Sequence, residues 1–509
     1  MAPQVHDIAS LLAVGRDDAI ALVAPERAPL SYRGLGEQVL ATMSTLNAVG
    51  VGRGDVVATV LANGPAMACA FVAIAAGSVA APLNPAYREE EFDFYLGDLD
   101  ARALIVAEGD ASPAVAVAER RGVAVLRLAE PKDAPAGTFT LAGGRPGRAA
   151  RPGAGEAGDM ALVLHTSGTT SRPKMVPLTQ GNLAASARHI AATLALGPDD
   201  RCLNIMPQFH IHGLIAGLVA SLAAGGSIAC PPGFNALRFF SWLDQLQPTW
   251  YTAVPTMHQA ILARAGHNAD VLARRKLRFI RSSSSSLPPP VMAELEKVFG
   301  APVIESYGMT EATHQMTSNP LPPRARKPGT VGLAAGPEVA IMDGDGRLLP
   351  QGEKGEIVIR GPNVTQGYLA NPDANAKGFA NGWFRTGDEG WFDAEGYLTI
   401  SGRLKEIINR GGEKIAPREV DEALLEHPAV AQAVTFAVPH KTLGEDVGAA
   451  VVLREGAAAT PEELKAHVAA KLAPFKVPRT LLILPDIPKG ATGKLQRIGL
   501  AAKLGLGAP

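Results

Sequence analysis

The sequence predicts an α/β protein. Its large N-terminal domain should hold mainly parallel sheets covered by helices plus a small β unit, followed by a small α+β C-terminal domain. Apolar strand-like runs such as 56–61 and 103–107 alternate with helical patterns such as 89–99, whose apolar side chains share one face. The length of 509 residues exceeds what one hydrophobic core usually serves. A charged segment at 402–406 then precedes a stretch with its own apolar pattern.

The strand and helix alternation continues through the middle of the chain. Short apolar runs at 202–205, 250–254, 279–280 and 303–304 predict further buried strands of a parallel sheet. Sequence rich in proline and glycine at 320–336 precedes shorter strands, which predict the small β unit. In such folds, ligands bind at the loops that follow strand ends.

The C-terminal stretch predicts a compact α+β unit. A second helix of this unit should begin after Thr460, because Thr460 suits the N-cap, Pro461 the first helical position and Glu463 a capping box. The other expected elements are a helix near 417–427 and strands near 433–438 and 449–453.

Composition excludes several classes of protein. Lys plus Arg number 48 against 49 Asp plus Glu, so no bulk attraction to nucleic acid or anionic membranes is expected. Two uncharged apolar stretches, 65–83 and 211–230, predict a buried helix followed by a buried strand rather than membrane spans. Cys69, Cys202 and Cys230 are too widely spaced to predict a disulfide framework or a zinc site. With no targeting segment visible, we expect a cytoplasmic protein.

The segment His165-Thr-Ser-Gly-Thr-Thr-Ser-Arg-Pro-Lys174 is the most informative motif. Its hydroxylated residues and glycine let hydroxyls and backbone N–H groups surround phosphate oxygens, while Lys174 adds a positive charge. It is not a Walker A loop, because Pro173 precedes Lys174 and Met175 follows it. A polar loop is the alternative for this run alone. Three downstream segments supply the other groups that a nucleoside triphosphate site needs, and together with this loop they predict such a site. They are Tyr307-Gly-Met-Thr-Glu311, Arg385-Thr-Gly-Asp388 and Gly493-Lys494.

These motifs, in this order, resemble those of the adenylate-forming superfamily of acyl-CoA synthetases, peptide-synthetase adenylation domains and beetle luciferases. The resemblance implies a two-step ligase that uses ATP, Mg²⁺ and CoA. A carboxylate attacks the α-phosphate of ATP to give an acyl-adenylate and pyrophosphate, and a thiol then displaces AMP. The match covers nearly the whole chain and rests on Thr166 to Lys174, Tyr307 to Glu311, Gly355 to Ile357, Phe384 to Asp388, Gly402 to Lys405 and Pro488 to Lys494.

The resemblance also assigns roles to single residues. Glu311 is expected to hold Mg²⁺, and Asp388 and Arg403 to bind the ribose. Lys494 is expected to bridge the acid and the α-phosphate, acting as a catalytic residue together with Thr310 and Glu311. The alternatives are a surface carboxylate for Glu311, a helix-capping Asp388 and a solvated Arg403. The full set implied to bind ATP or AMP is Thr166, Ser167, Gly168, Thr169, Thr170, Lys174, Ser306, Tyr307, Gly308, Met309, Thr310, Asp388, Arg403 and Lys494.

A mobile C-terminal domain is implied as well, because family members rotate it between the two half-reactions. The implied division is an N-terminal AMP-binding domain at 1–402, a hinge at 403–405 that includes Lys405, and a mobile domain at 406–509 that carries Lys494. Gly411 and Gly412 would leave room for the pantetheine arm of CoA, with an ordinary glycine turn as the alternative. The segment 488–494 resembles the site at which bacterial acyl-CoA synthetases are acetylated, which makes a lysine acetyltransferase acting on Lys494 a candidate partner.

Three polar features mark the expected acid pocket: His210, the serine run 282–286 and His314. A long alkyl chain would leave these groups without partners, at a cost on the order of a few kcal/mol each, so a small polar acid is expected. The surrounding sequence resembles that of oxalate–CoA ligases of plants and fungi. That resemblance implies that His210, His314 and Ser284 bind the acid, with the neighbouring serines of the run as alternatives to Ser284.

Other interpretations of the acid pocket stay open. The sequence departs from oxalate–CoA ligases at Gly308, where they tend to carry Ala, and at Met175, where Gly is usual. The alternative for His210 is a gating role, because a residue of this kind is found across the superfamily regardless of which acid the enzyme uses. The acid would otherwise be malonate or another short- or medium-chain carboxylate, or the acyl group would pass to a carrier-protein thiol. Retention of Lys494 and Glu311 argues against a nucleotide-binding protein without catalysis.

Overall fold

Four sheets and the helices that cover them form the structure. The computed structural model describes residues 6–166, 173–489 and 495–506. The strands in these residues are β1 Ile20–Val23, β2 Leu30–Ser31, β3 Val56–Val60, β4 Val79–Pro82, β5 Ala103–Ala107, β6 Ala124–Ala129, β7 Thr140–Gly143, β8 Met160–Thr166, β9 Lys174–Thr179, β10 Arg201–Asn204, β11 Ser227–Ala229, β12 Trp250–Ala253, β13 Phe279–Ser282, β14 Val303–Met309, β15 His314–Ser318, β16 Leu333–Ala334, β17 Glu338–Met342, β18 Gly355–Arg360, β19 Phe379–Ala380, β20 Trp383–Phe392, β21 Leu398–Arg403, β22 Ile408–Arg410, β23 Glu413–Ile415, β24 Val430–His440, β25 Gly444–Leu453 and β26 Thr480–Ile483.

The helices lie mainly between successive strands, as a parallel sheet requires. The α-helices are α1 Ile8–Leu11, α2 Tyr32–Ala48, α3 Pro65–Gly77, α4 Glu89–Asp98, α5 Pro113–Arg120, α6 Gln180–Thr193, α7 Ala220–Ala223, α8 Phe239–Leu246, α9 Pro255–Ala265, α10 Ala269–Arg274, α11 Pro289–Phe299, α12 Pro372–Gly378, α13 Pro417–Leu425, α14 Pro461–Ala469 and α15 Leu500–Lys503. A π-helix spans His212–Val219, and 3₁₀ turns span Gly266–Asn268, Thr310–Ala312 and Pro474–Lys476.

The two large sheets are parallel through their centres. The nine-stranded sheet has the order β16-β15-β14-β13-β12-β10-β11-β1-β2, and its strands from β14 to β1 run parallel. The seven-stranded sheet has the order β7-β6-β5-β3-β4-β8-β9, with antiparallel pairs at its two ends. Helices cover both faces, so strands such as β12 are buried along their whole length. These sheets confirm the predicted fold class of the N-terminal part.

Two smaller sheets complete the fold. The antiparallel sheet β17-β18-β20-β19, with β21 paired to β20, confirms the predicted β unit. The last sheet, β23-β22-β25-β24 with β26 parallel to β25, packs against α13 and α14. Thr460 and Glu463 form the predicted capping box at the start of α14. The C-terminal part is therefore the α+β unit that the sequence predicts.

The two apolar stretches fold as a helix followed by a strand. The first forms α3 and β4, and the second forms the π-helix, α7 and β11. The π-helix at His212–Val219 was not foreseen, because an apolar run has no local signal that separates π from α geometry. Among the described residues, no helix combines the length and the apolarity needed to cross a membrane.

Several hydrogen bonds connect the C-terminal α+β unit to the preceding part of the chain. Arg418 Nη1 donates to the carbonyl oxygen of Ile400 at 2.8 Å, and Gln259 Nε2 donates to the carbonyl oxygen of Ala431 at 2.9 Å.

Candidate active site

The predicted phosphate loop is held at its ends by two paired strands. β8 and β9 run antiparallel, and Thr166 at the end of β8 lies opposite Lys174 at the start of β9. The loop between them, 167–172, lies outside the described residues. The roles of Ser167, Gly168, Thr169 and Thr170 therefore stay predictions, as does that of Lys494, which also lies outside the described residues.

Three side chains from separate segments meet beside the start of β9. Tyr368 Oη donates to Glu311 Oε1 at 2.9 Å, and Lys174 Nζ lies 4.4 Å from the centre of the Tyr368 ring. Burial raises the pKa of Glu311, and the hydrogen bond from Tyr368 and the charge of Lys174 oppose that rise. Burial lowers the pKa of Lys174, and Glu311 opposes that shift. Tyr368 is a member of this cluster that the sequence did not single out.

The Glu311 carboxylate fits the Mg²⁺ ion that the resemblance implies. Mg²⁺ usually takes one or two protein carboxylates and completes its shell with waters and substrate phosphates. The described residues contain no group of three or more His, Cys, Asp or Glu side chains able to hold an ion. Glu311 is only 6% exposed, and a nearby dication stabilises the charged form that burial disfavours.

A second cluster joins three of the residues predicted to bind the nucleoside. Tyr307 Oη donates to Asp388 Oδ2, and Arg403 Nε lies 3.1 Å from Asp388 Oδ1. The pairing of β20 with β21 sets Asp388 opposite Arg403. Burial raises the pKa of Asp388, and Arg403 and Tyr307 oppose the rise. Because each carboxylate oxygen can accept more than one hydrogen bond, Asp388 retains acceptor positions for ribose hydroxyls.

The strand β14 connects the predicted nucleotide and acid sites. It pairs antiparallel with β15, so that Met309 lies opposite His314, and a bulge interrupts the pairing at Gly308. A Cβ atom on Gly308 would lie 1.7 Å from the carbonyl oxygen of His314, so this close approach needs a glycine. The predicted nucleotide residues that follow one another here are Ser306, Tyr307, Gly308, Met309 and Thr310.

Two of the three predicted acid-binding residues meet at His212, which the sequence did not single out. His212 Nδ1 lies 3.0 Å from Ser284 Oγ, and the His212 and His314 rings stack with centroids 4.8 Å apart. Both histidines are buried. Ser284 and His314 have left-handed φ values of 72° and 96°. Such backbone strain at non-glycine residues costs on the order of 1–3 kcal/mol and clusters at functional sites.

His210 occupies a different position in the same segment. It lies just before the π-helix, and its ring packs against Phe209 with centroids 4.6 Å apart. His212, two residues later, is the first residue of the π-helix and bonds to Ser284. The signal available in the sequence was the repeated His in His210-Ile-His212, and helix geometry decides which of the two faces the serine.

The predicted hinge and CoA residues lie after β21. Lys405 lies in the exposed link to β22. Burial is the main cause of the lowered pKa of Lys174, and the charge of Lys405 adds to it. Gly411 and Gly412 form the turn between β22 and β23 with φ values of 60° and 102°, which favour glycine. Turn geometry alone accounts for both glycines, and their contact with CoA stays a prediction.

Comparisons with known proteins cover both parts of the chain. The family model described as AMP-binding enzyme matches residues 12–369, and the one described as AMP-binding enzyme C-terminal domain matches residues 419–494. The chain is 46% identical to an oxalate–CoA ligase of Arabidopsis thaliana over 88% of each chain. It is 42% identical to an oxalate–CoA ligase of Saccharomyces cerevisiae over 94% of each. The crystal structure of ATP-bound MatB from Rhodopseudomonas palustris is similar with a TM-score of 0.88 and 28% identity, covering 98% of this chain and 99% of that one.

Proposed function

The chain belongs to the AMP-binding enzyme family and is an AMP-forming acid–CoA ligase that uses ATP and CoA, and we propose that its acid is oxalate. The cluster of Ser284 with the buried histidines His212 and His314 carries this proposal. It places a hydroxyl and two imidazoles beside the strand that continues into the predicted nucleotide site. The two oxalate–CoA ligases among the relatives support the same acid.

Oxalate suits this cluster because its second carboxylate is bonded directly to the reacting one. The second carboxylate therefore needs hydrogen-bond donors immediately beside the α-phosphate, and Ser284 and His314 are proposed to supply them. An alkyl chain in the same place would leave these polar groups without partners, at a cost of about 1–3 kcal/mol for each.

In the proposed first half-reaction, a carboxylate oxygen of oxalate attacks the α-phosphorus of ATP. The bond from that phosphorus to the bridging oxygen breaks, and pyrophosphate leaves. Lys494 is proposed to lie between the two anions and reduce their repulsion, while Thr310 contacts the α-phosphate. Glu311 would hold Mg²⁺, which neutralises phosphate charge when bound. The thiol of CoA then attacks the acyl carbon, and AMP leaves.

The division of the chain belongs to the same proposal. Residues 1–402 would form the AMP-binding domain, 403–405 the hinge and 406–509 the mobile domain that brings in Lys494 and later the turn at Gly411 and Gly412. The hydrogen bonds of Arg418 and Gln259 would break and re-form as that domain moves.

Regulation and location are also proposals. A lysine acetyltransferase acting on Lys494 would remove the charge needed for adenylate formation. A cytoplasmic location is supported by Cys69, Cys202 and Cys230, which are all free thiols buried in the fold, a state that a reducing compartment maintains.

The proposed acid is tested by CoA-dependent AMP formation with ATP and Mg²⁺ across oxalate, malonate, acetate, octanoate and a cinnamate. We expect oxalate to be preferred by orders of magnitude in kcat/KM, and a preference for octanoate or malonate would contradict the choice of acid. His314→Ala should raise the KM for oxalate by about tenfold or more and that for ATP by less than about twofold. The exposed His267 provides the control, because His267→Ala should change neither KM.

A further inference from the structure

A fully buried arginine lies behind the acid-binding cluster. Arg281 is on β13 and is 0% exposed. Burial lowers the pKa of its guanidinium to about 9, so the group stays charged at neutral pH. Among the described residues, no carboxylate forms an ion pair with Arg281, and its Nε atom has no hydrogen-bond partner. A buried charge without a counter-ion costs folding free energy, so this residue is expected to serve the site.

The guanidinium is held in one orientation by its neighbours. Arg281 Nη2 donates to Gln315 Oε1 at 3.3 Å. The amide of Gln315 is itself fixed, because its Nε2 donates to the carbonyl oxygen of Ala335 at 3.0 Å and to Thr193 Oγ1 at 3.1 Å. The other terminal nitrogen, Arg281 Nη1, lies 3.4 Å from His212 Nε2.

A hydrogen bond across this contact favours one tautomer of His212. Because a guanidinium has donors and no acceptor, His212 Nε2 would accept the hydrogen bond and its own hydrogen would lie on Nδ1. Thr252 Oγ1 lies 2.6 Å from the same nitrogen and its hydroxyl can donate to it as well. A neutral His212 then has its hydrogen on Nδ1, 3.0 Å from Ser284 Oγ, and donates to that oxygen.

We propose that Arg281 is a positioning residue that fixes His212 as the Nδ1–H tautomer and thereby turns the hydroxyl hydrogen of Ser284 toward the second carboxylate of the acid. Because Ser284 Oγ accepts from His212, its own hydrogen is left to donate to the substrate. The positive guanidinium behind the histidine also favours an anion in front of it. The identity of the acid rests on the proposed function, whereas the tautomer of His212 does not.

The tautomer is tested directly by ¹⁵N NMR of the full-length, ligand-free enzyme labelled at histidine, with His212→Asn to assign the resonance. We expect His212 in the Nδ1–H form throughout the neutral pH range. An Nε2–H form or a doubly protonated ring in the wild-type enzyme would overturn the proposal. This measurement needs no change at Arg281, so it stays decisive even if a variant at that position fails to fold.

Kinetics then tests whether the arginine acts on acid recognition. Arg281→Met should raise the KM for oxalate by about tenfold and that for ATP by less than about twofold, and Arg281→Lys should recover part of the loss. The control is Arg278→Met, which removes an arginine that is paired with Asp200 outside the site and should leave both KM values unchanged. An unchanged oxalate KM in Arg281→Met would overturn the proposal while the proposed function stands. If the wild-type enzyme does not use oxalate, the proposed function fails, and the NMR result still decides the tautomer.

Discussion

Substitution of Ser284 measures how much one hydroxyl group contributes to the use of oxalate, without a change of backbone strain. Ser284→Ala removes the Oγ atom that lies 3.0 Å from His212 Nδ1. Serine and alanine pay a similar cost at the left-handed φ of 72°, so the substitution isolates the hydroxyl. A hydrogen bond to a charged group contributes about 1.5–3 kcal/mol, which corresponds to a loss of roughly 10- to 150-fold in kcat/KM for oxalate.

Stability should respond differently from activity. Ser284→Ala loses one neutral hydrogen bond, worth about 1 kcal/mol, so Tm should fall by about 2 °C or less in a chain of this length. Ser284→Gly loses the same bond but gains about 1 kcal/mol because glycine adopts positive φ without strain, so its Tm should stay near that of the wild type. Both variants should lose oxalate activity to the same extent.

The assay is steady-state AMP formation with varied oxalate, together with calorimetric Tm values. Ser285→Ala is the matched control, because Ser285 is the exposed neighbour in the same serine run. It should leave kcat/KM for oxalate unchanged. Wild-type kcat/KM in Ser284→Ala, or an equal loss in Ser285→Ala, would refute the assignment of Ser284 to the acid.

Two further predictions concern the hinge and a buried carboxylate. Lys405→Pro restricts φ between β21 and β22 and should hinder the rotation of the C-terminal domain. ATP–pyrophosphate exchange should stay near normal while thioester formation falls by about tenfold or more. Equal loss of both half-reactions would exclude a hinge at this position. Glu305 is fully buried, and burial raises its pKa from 4.5 to about 7. The folded state therefore binds more protons than the unfolded state between these values, and the stabilisation present below pH 4.5 is lost as the pH rises through 7. Calorimetry should show that the free energy of unfolding of the wild type declines from pH 5 to pH 8, and that Glu305→Gln reduces this decline by roughly 3 kcal/mol or less. Glutamine is the suitable replacement because its amide oxygen can still accept from the Leu287 N–H. An equal decline in both proteins would show that Glu305 is already ionised.

Local sequence patterns predicted most of the fold. An uncharged apolar run predicted α3 and β4, and Thr460, Pro461 and Glu463 predicted the start of α14. The order of the motifs likewise predicted an AMP-forming ligase. These signals are local in the chain, because helix capping and turn formation depend on residues only a few positions apart.

The residues of the proposed acid-binding cluster were only partly predictable. His314 and Ser284 were expected from the motifs, whereas His212 was not, because its position depends on where the π-helix begins. The role of His210 in acid binding stays a prediction. Arg281 lies near the end of a buried strand, where the local sequence gives no sign that its guanidinium contacts His212. The orientation of its guanidinium depends on Gln315, which is 34 residues away in the chain.

The sequence by itself determined the fold class, most of its helices and strands, and the assignment as an AMP-forming acid–CoA ligase. The tertiary structure decided which side chains act on one another: Tyr368 with Glu311, 57 residues apart, and Tyr307 with Asp388, 81 residues apart. Side-chain pairing over such distances depends on strand register and on the packing of loops against the sheets. The local preference of residues for helix, strand or turn carries no information about strand register or loop packing, because residues far apart in the chain meet only after the core has formed.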